Sequence, residues 1–168
     1  MATALRPVTV ASALIAALLG LTACGSTTPS GPKLITYPGD GVTVTIKNVG
    51  SALKDTSPEF RAFITRQLHE LWVSGGSVPG CEASALISLT AYRTDGFANA
   101  SDEGVFGSDT CARGGNNALY AQVGGTWKEI IGTQSGYGCA DLRKYKVPAA
   151  IAGSSCLDKA GNPQRYKG

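Results

Sequence analysis

Three groups of residues in this chain have the chemistry to build a site. The first is His69, the single histidine in 168 residues. A Ser-His-Asp or Cys-His system would have to use it as its base. No nucleophile motif accompanies it: GTQSG and GGSVPG both miss the Gly-x-Ser-x-Gly spacing, so His69 reads as a surface or boundary residue. The second group is the acidic set Asp102, Glu103 and Asp109. Calcium wants several oxygens at set intervals, and this segment lacks the loop spacing, so a solvated loop is expected. No carboxylate is expected in an apolar strand context that would raise its pKa, which leaves a paired-carboxylate hydrolase without support. The third group is basic: Arg143, Lys144 and Lys146 open a stretch that continues through Lys159, Arg165 and Lys167. From Cys139 onward six basic residues face two acidic ones, a patch suited to an anionic surface or a partner protein. The net charge of the whole chain is only +3 and is spread out, which argues against nucleic acid as a partner. There is no P-loop and no dinucleotide fingerprint, so no cofactor is expected.

The cysteines place the protein. There are five, at 24, 81, 111, 139 and 156. Residues 8–21 are almost wholly apolar, follow Arg6, and are too few for a comfortable membrane span of about 20 residues. The run ends in Leu21-Thr22-Ala23-Cys24, which resembles the lipobox of bacterial lipoproteins. That resemblance implies that residues 1–23 are a signal peptide removed on export. It also implies that the Cys24 thiol takes a diacylglyceryl thioether, with palmitate-type acyl chains holding the mature protein on the outer face of the cell membrane. Residues 24–33, rich in Gly, Ser, Thr and Pro, then form a flexible tether. Cys81, Cys111, Cys139 and Cys156 remain, an even set in an exported domain, and read as two disulfides. Three pairings are open. Sequential pairing, Cys81 with Cys111 and Cys139 with Cys156, is favoured because each bond closes one local segment. Without CxxC spacing, and with His69 far away in sequence, a metal site is not expected.

The elements that must position these residues follow from periodicity. Val42, Val44 and Ile46 alternate with polar residues as a half-buried strand, with 34–36 a short partner across the YPGDG turn. Ser57 as cap, Pro58 at the first helical position and Glu59 begin a helix that Gly75 and Gly76 end. Phe60, Phe63, Ile64, Leu68, Leu71 and Trp72 form its apolar stripe, with Arg61, Arg66, Gln67 and Glu70 facing away. Residues 85–93 alternate as another strand. The polar segment 94–111 is either a loop across an edge or a hairpin carrying Phe97 and Phe106. Residues 119–123 and 126–131 flank Gly124-Gly125 as a tight hairpin that puts Trp127 and Ile131 on one face. A short helix before Pro148 and a second apolar turn come between Cys139 and Cys156, and 158–168 reads as a polar basic tail without a core signal.

Hydrophobic residues at 43% support one packed domain, 34–157. It is expected to be α+β: one long amphipathic helix on a curved, mainly antiparallel sheet of about five strands, with a disulfide-bound C-terminal helical segment. From about residue 60 to 156 the chain resembles small actinobacterial secreted or lipoprotein domains of unassigned function. The resemblance rests on Asp95 to Ala98, Gly125 to Lys128, Cys139 to Leu142, Val147-Pro148 and the four cysteines. It supplies no catalytic residues. The order of elements is also similar to cystatin-like and NTF2-like folds. Some temperate phages encode small lipoproteins of this type that block superinfection, so a prophage origin fits. The expected function is non-catalytic: a membrane-anchored module binding a protein or an envelope component. The alternatives are a carrier of a small apolar ligand or lipid, and an envelope-active hydrolase using His69.

Overall fold

A computed structural model describes residues 31–75, 78–81, 85–105, 111 and 114–168. The lipobox and Cys24 lie outside these residues, as do Gly76, Phe106 and Asp109. The described chain is α+β, with six strands in a mainly antiparallel sheet, a separate two-stranded hairpin and four helices. No helix among the described residues is long and apolar enough to cross a membrane.

The sheet is built from β1 (Leu34–Thr36), β2 (Val42–Val44), β3 (Ala85–Arg93), β4 (Phe97–Val105), β5 (Gly114–Val123) and β6 (Thr126–Thr133). Its order is β1-β3-β4-β5-β6, and β2 also pairs with β3. The first two strands therefore do not pair with each other, contrary to expectation. Leu34 lies opposite Arg93 and Val42 opposite Leu89, so both strands share β3 end to end. β2 also stops earlier than its alternation suggests. The Asn48 side chain accepts from the Thr45 N–H at 2.7 Å and donates to the Thr43 carbonyl at 3.0 Å, turning the chain. Ile46 is left 41% exposed, and the short helix α1 (Val49–Ala52) follows.

The segment expected to be a loop or an edge hairpin is β4, which lies between β3 and β5. Its inward positions Ala98 and Ala100 are fully buried, but alanine gives too weak an apolar signal to mark a strand. In the β5–β6 hairpin, Gly124 and Gly125 take φ of 60° and 79°, which favours glycine at both turn positions. A bulge then shifts the register between Leu119 and Tyr120, setting Tyr120 opposite Glu129 and Leu119 opposite Ile131. Ile130 is the inserted residue. Because an extra residue reverses facing, Trp127 and Ile131 end on opposite faces rather than sharing one.

Helix α2 (Pro58–Ser74) covers one face. The Ser57 hydroxyl accepts from the Phe60 N–H at 3.2 Å, and Pro58 occupies the first turn. Phe60, Phe63, Ile64 and Leu68 are buried against the sheet. Rings of Phe60, Phe63, Tyr92, Tyr120 and Trp127 pack with centroids 4.6 to 6.4 Å apart. Leu71 and Trp72 are only half-buried, and Arg61 is not simply solvated: its guanidinium donates to the Leu53 and Thr56 carbonyls.

The other face carries a C-terminal unit: α3 (Cys139–Lys144), α4 (Ala149–Ala152) and a hairpin of β7 (Ser155–Leu157) with β8 (Pro163–Arg165). Its second core joins Leu142, Val147, Ile151 and Tyr166 to Ala91 and Leu119 of the sheet. Residues 158–168 are thus not a loose tail. Tyr166 is 5% exposed and its hydroxyl donates to the Val147 carbonyl at 2.5 Å. One tyrosine among charged and small residues carries no periodicity, which is why the segment reads as soluble in sequence. The disulfides are Cys81–Cys111 and Cys139–Cys156, the sequential pairing.

Candidate functional site

The basic residues after Cys139 are brought together by the C-terminal unit. Arg143, Lys144 and Lys146 are exposed at the end of α3 and just beyond it. Lys146 takes a positive φ of 52°, which reverses the chain toward buried Val147. Between α3 and the β7–β8 hairpin runs a groove of about 550 Å³, rimmed by Arg143, Lys159 and Arg165. Its acidic neighbours are Asp141 and Asp158. Asp158 is engaged by the hairpin turn: it accepts from the N–H groups of Ala160 and Asn162, both at 2.9 Å, and from the Gln164 amide at 3.1 Å. These bonds, led by that of Asn162, hold its carboxyl below the usual range. Lys144 sits apart, with its ammonium 4.9 Å from the Tyr145 ring centroid. The structure thus unites Arg143 with Lys159 and Arg165, while Lys144 and Lys146 flank the groove rather than line it.

A second polar site lies on the helix side, where the acidic set of the sequence divides. Asp102 is half-buried, and burial raises its carboxyl. Glu103 is 2% exposed, against the expectation that no carboxylate occupies a buried strand position. Tyr120 donates its hydroxyl to Glu103 Oε2, and the Asn116 amide donates to Oε1 at 3.2 Å. The Glu129 carboxyl lies alongside and hydrogen-bonds to it. Gly132 leaves open space beside the Glu129 carboxyl. Burial pushes Glu103 up to about 7; Tyr120 and Asn116 oppose that shift and Glu129 adds to it. Burial likewise raises Tyr120 well above its ordinary value, with the Glu103 charge adding to the effect. An open groove of about 340 Å³ reaches this carboxyl past Leu71, Ser74 and Gln134. Sequence reading missed Glu103 because it reaches the buried face through a register shift between Ala100 and Glu103. Counted by strict alternation, it falls outside.

His69 stays on the exposed surface of α2, with its ring 5.5 Å from that of Trp72. The small hollow beside it is lined by Ile46, Leu68 and Trp72, side chains that offer neither a nucleophile nor an orienting carboxylate. Among the described residues no group of three or more His, Cys, Asp or Glu side chains is arranged to hold a metal. Comparison with protein-family models, curated proteins and solved structures finds no match.

Proposed function

We propose that this chain is a lipid-anchored extracytoplasmic binding module without catalytic activity. Acylated Cys24 would hold it on the cell membrane, and the basic C-terminal unit would engage a protein or envelope component. The observation that carries this reading is the groove where Arg143, Lys159 and Arg165 converge on a rigid, disulfide-closed unit. Cross-linked structure is also what an oxidising compartment permits. At the level of architecture we take α2 as the single long helix of a cystatin-like or NTF2-like arrangement. Its support is the helix-on-sheet packing and the four register shifts that bend strands.

The two alternatives have less behind them. A carrier needs a chamber between helix and sheet, and that space is filled by Phe60, Phe63, Tyr120 and Trp127. A hydrolase centred on His69 has an aliphatic and aromatic surround. Exclusion of superinfecting phage is a special case of the binding reading, tested by challenging cells that express the chain. The general test is crosslinking in intact cells. One envelope partner is expected with the native chain, and it is expected to be lost when Arg143→Glu, Lys159→Glu and Arg165→Glu are combined. Mass spectrometry of the mature amino end is expected to find acylated Cys24; an unmodified end, or a product dissolved in the medium, removes the anchor from the proposal.

A further inference from the structure

Among the described residues, Glu103 is the one charged side chain lining the groove of about 340 Å³ at the end of α2. A hollow of about 350 Å³ adjoins it, with Glu129 as its one charged side chain. The two share Asn116 and Gln134, so both carboxyls open onto one cleft, and no described basic side chain lines it. The hydrogen-bonding capacity left there is that of acceptors. The Asn116 amide uses its two N–H groups on Glu103 Oε1 and on the Asn117 carbonyl, both at 3.2 Å. The Gln134 amide donates to the Gly115 carbonyl at 3.3 Å, and the Ser74 hydroxyl to the Leu71 carbonyl at 2.9 Å. What these groups still offer is oxygen: the side-chain carbonyls of Asn116 and Gln134, the Ser74 lone pairs and the two carboxyls. Leu71 and Val105 supply an apolar wall beside them.

We propose that this cleft binds a primary alkylammonium group, its stem on Leu71 and Val105 and its N–H donors on Glu103, Asn116 and Gln134. A hydrocarbon stem with a cationic, three-donor head matches an acidic, acceptor-lined cleft that has one apolar wall. A buried carboxylate is costly until a cation pairs with it, and Glu103 pairs with none among the described residues. Tyr120 and Asn116 hold its carboxyl in place, and Glu129 adds charge from the adjoining hollow. The site is separate from the basic groove of the C-terminal unit and stands with or without acylated Cys24.

The test is a titration of the isotope-labelled full chain, in micelles of an uncharged detergent, followed by NMR at the side-chain amides of Asn116 and Gln134. The probes are diaminopentane and Nα-acetyl-lysine methylamide, which separate a free amine from a peptide lysine. Tetramethylammonium, a cation without N–H donors, and calcium are the comparisons. At least one amine is expected to bind at pH 8 with a dissociation constant on the order of 1 mM, and the tighter of the two names the source. It is expected to bind at least about tenfold more tightly than tetramethylammonium. Facing Glu103 are Tyr120 from β5, Glu129 from β6 and Tyr137 from the chain beyond it, with Asp102 its neighbour in β4; α2 lines the groove with uncharged Leu71 and Ser74. Glu103 keeps a proton up to about pH 7, and the protonated carboxyl cannot pair with a cation. Affinity is therefore expected to fall about tenfold from pH 8 to pH 6. Glu103→Gln is expected to weaken binding at least about tenfold and to remove that pH dependence. If it alters the circular dichroism spectrum, Gln134→Lys replaces it: this change at an exposed rim position tethers an ammonium in the cleft and is expected to block the probes. Glu59→Gln, exposed at the other end of α2, is expected to change affinity less than about twofold. No shift at Asn116 and Gln134 with either amine, equal binding of tetramethylammonium, or tighter binding of calcium overturns the inference. Arg113 precedes Gly114 in sequence and lies outside the described residues. Amine binding seen only in Arg113→Ala would show that the chain supplies its own cation, and overturns the inference too.

Discussion

Glu103 is an acid held in a core where no cation among the described residues pairs with it. The two ion pairs among the described residues, Arg66–Glu70 and Arg93–Asp95, lie elsewhere. Its folded carboxyl keeps a proton up to about pH 7, while the unfolded group releases it near 4.5. The stabilisation from this group is therefore complete below the unfolded value and fades as pH rises through the folded one, a change on the order of 3 kcal/mol. Glu103→Gln keeps an acceptor for Tyr120 and a donor toward Glu129 without the charge. Urea unfolding is expected to show the native chain less stable at pH 8 than at pH 5, and the variant nearly level between them. A variant that keeps the native slope would place the titration on another group. Sequence could name this residue as acidic but not as buried, because its facing depends on a register shift that only strand pairing reveals.

Among the elements, the C-terminal unit depends most on its covalent link. Its helices are six and four residues long, too short to persist unaided. The Cys139–Cys156 bond closes a separation of 17 residues, and a loop of that size contributes about 3 kcal/mol. Cys139→Ser with Cys156→Ser is expected to cost roughly that amount in chemical denaturation. It is also expected to raise hydrogen exchange in α3 and α4 before it does so in α2. Similar loss of protection in all three helices would show that the unit has no separate stability. Helix α2 and the β5–β6 hairpin were legible in sequence because caps, an apolar stripe and a Gly-Gly turn are local signals. The second hairpin was not, since Tyr166 finds its partners Leu142 and Val147 only in the folded chain. The groove site was half legible: the sequence marks Arg143, Lys159 and Arg165 as basic, and the hairpin decides which of the basic residues meet.

The described residues form one six-stranded sheet with two cores, α2 packed on one face and the C-terminal unit, with its own small hairpin, on the other. β3 and β5 contribute buried residues to both, and β4 adds the half-buried Phe97 to the second, so neither face can be lost without disturbing the strands that serve the other. Phe60→Ala empties the centre of the ring cluster and is expected to cost about 3–5 kcal/mol. Tryptophan fluorescence, from Trp72 and Trp127, and far-UV circular dichroism are expected to report one shared, lowered midpoint; separate midpoints would show two independent units. The fold also has an open margin. Among the described residues β6 ends the sheet and pairs with β5 alone. The inserted Ile130 kinks it, and Lys128 and Glu129 stand beside that kink. If acylated Cys24 confines identical chains to one leaflet, as proposed, they meet edge to edge far more often than in free solution, and a flat apolar border would let them zip into ribbons. A crooked, charged border makes a poor template for a neighbour's strand, so crowding on a bilayer need not end in fibrils.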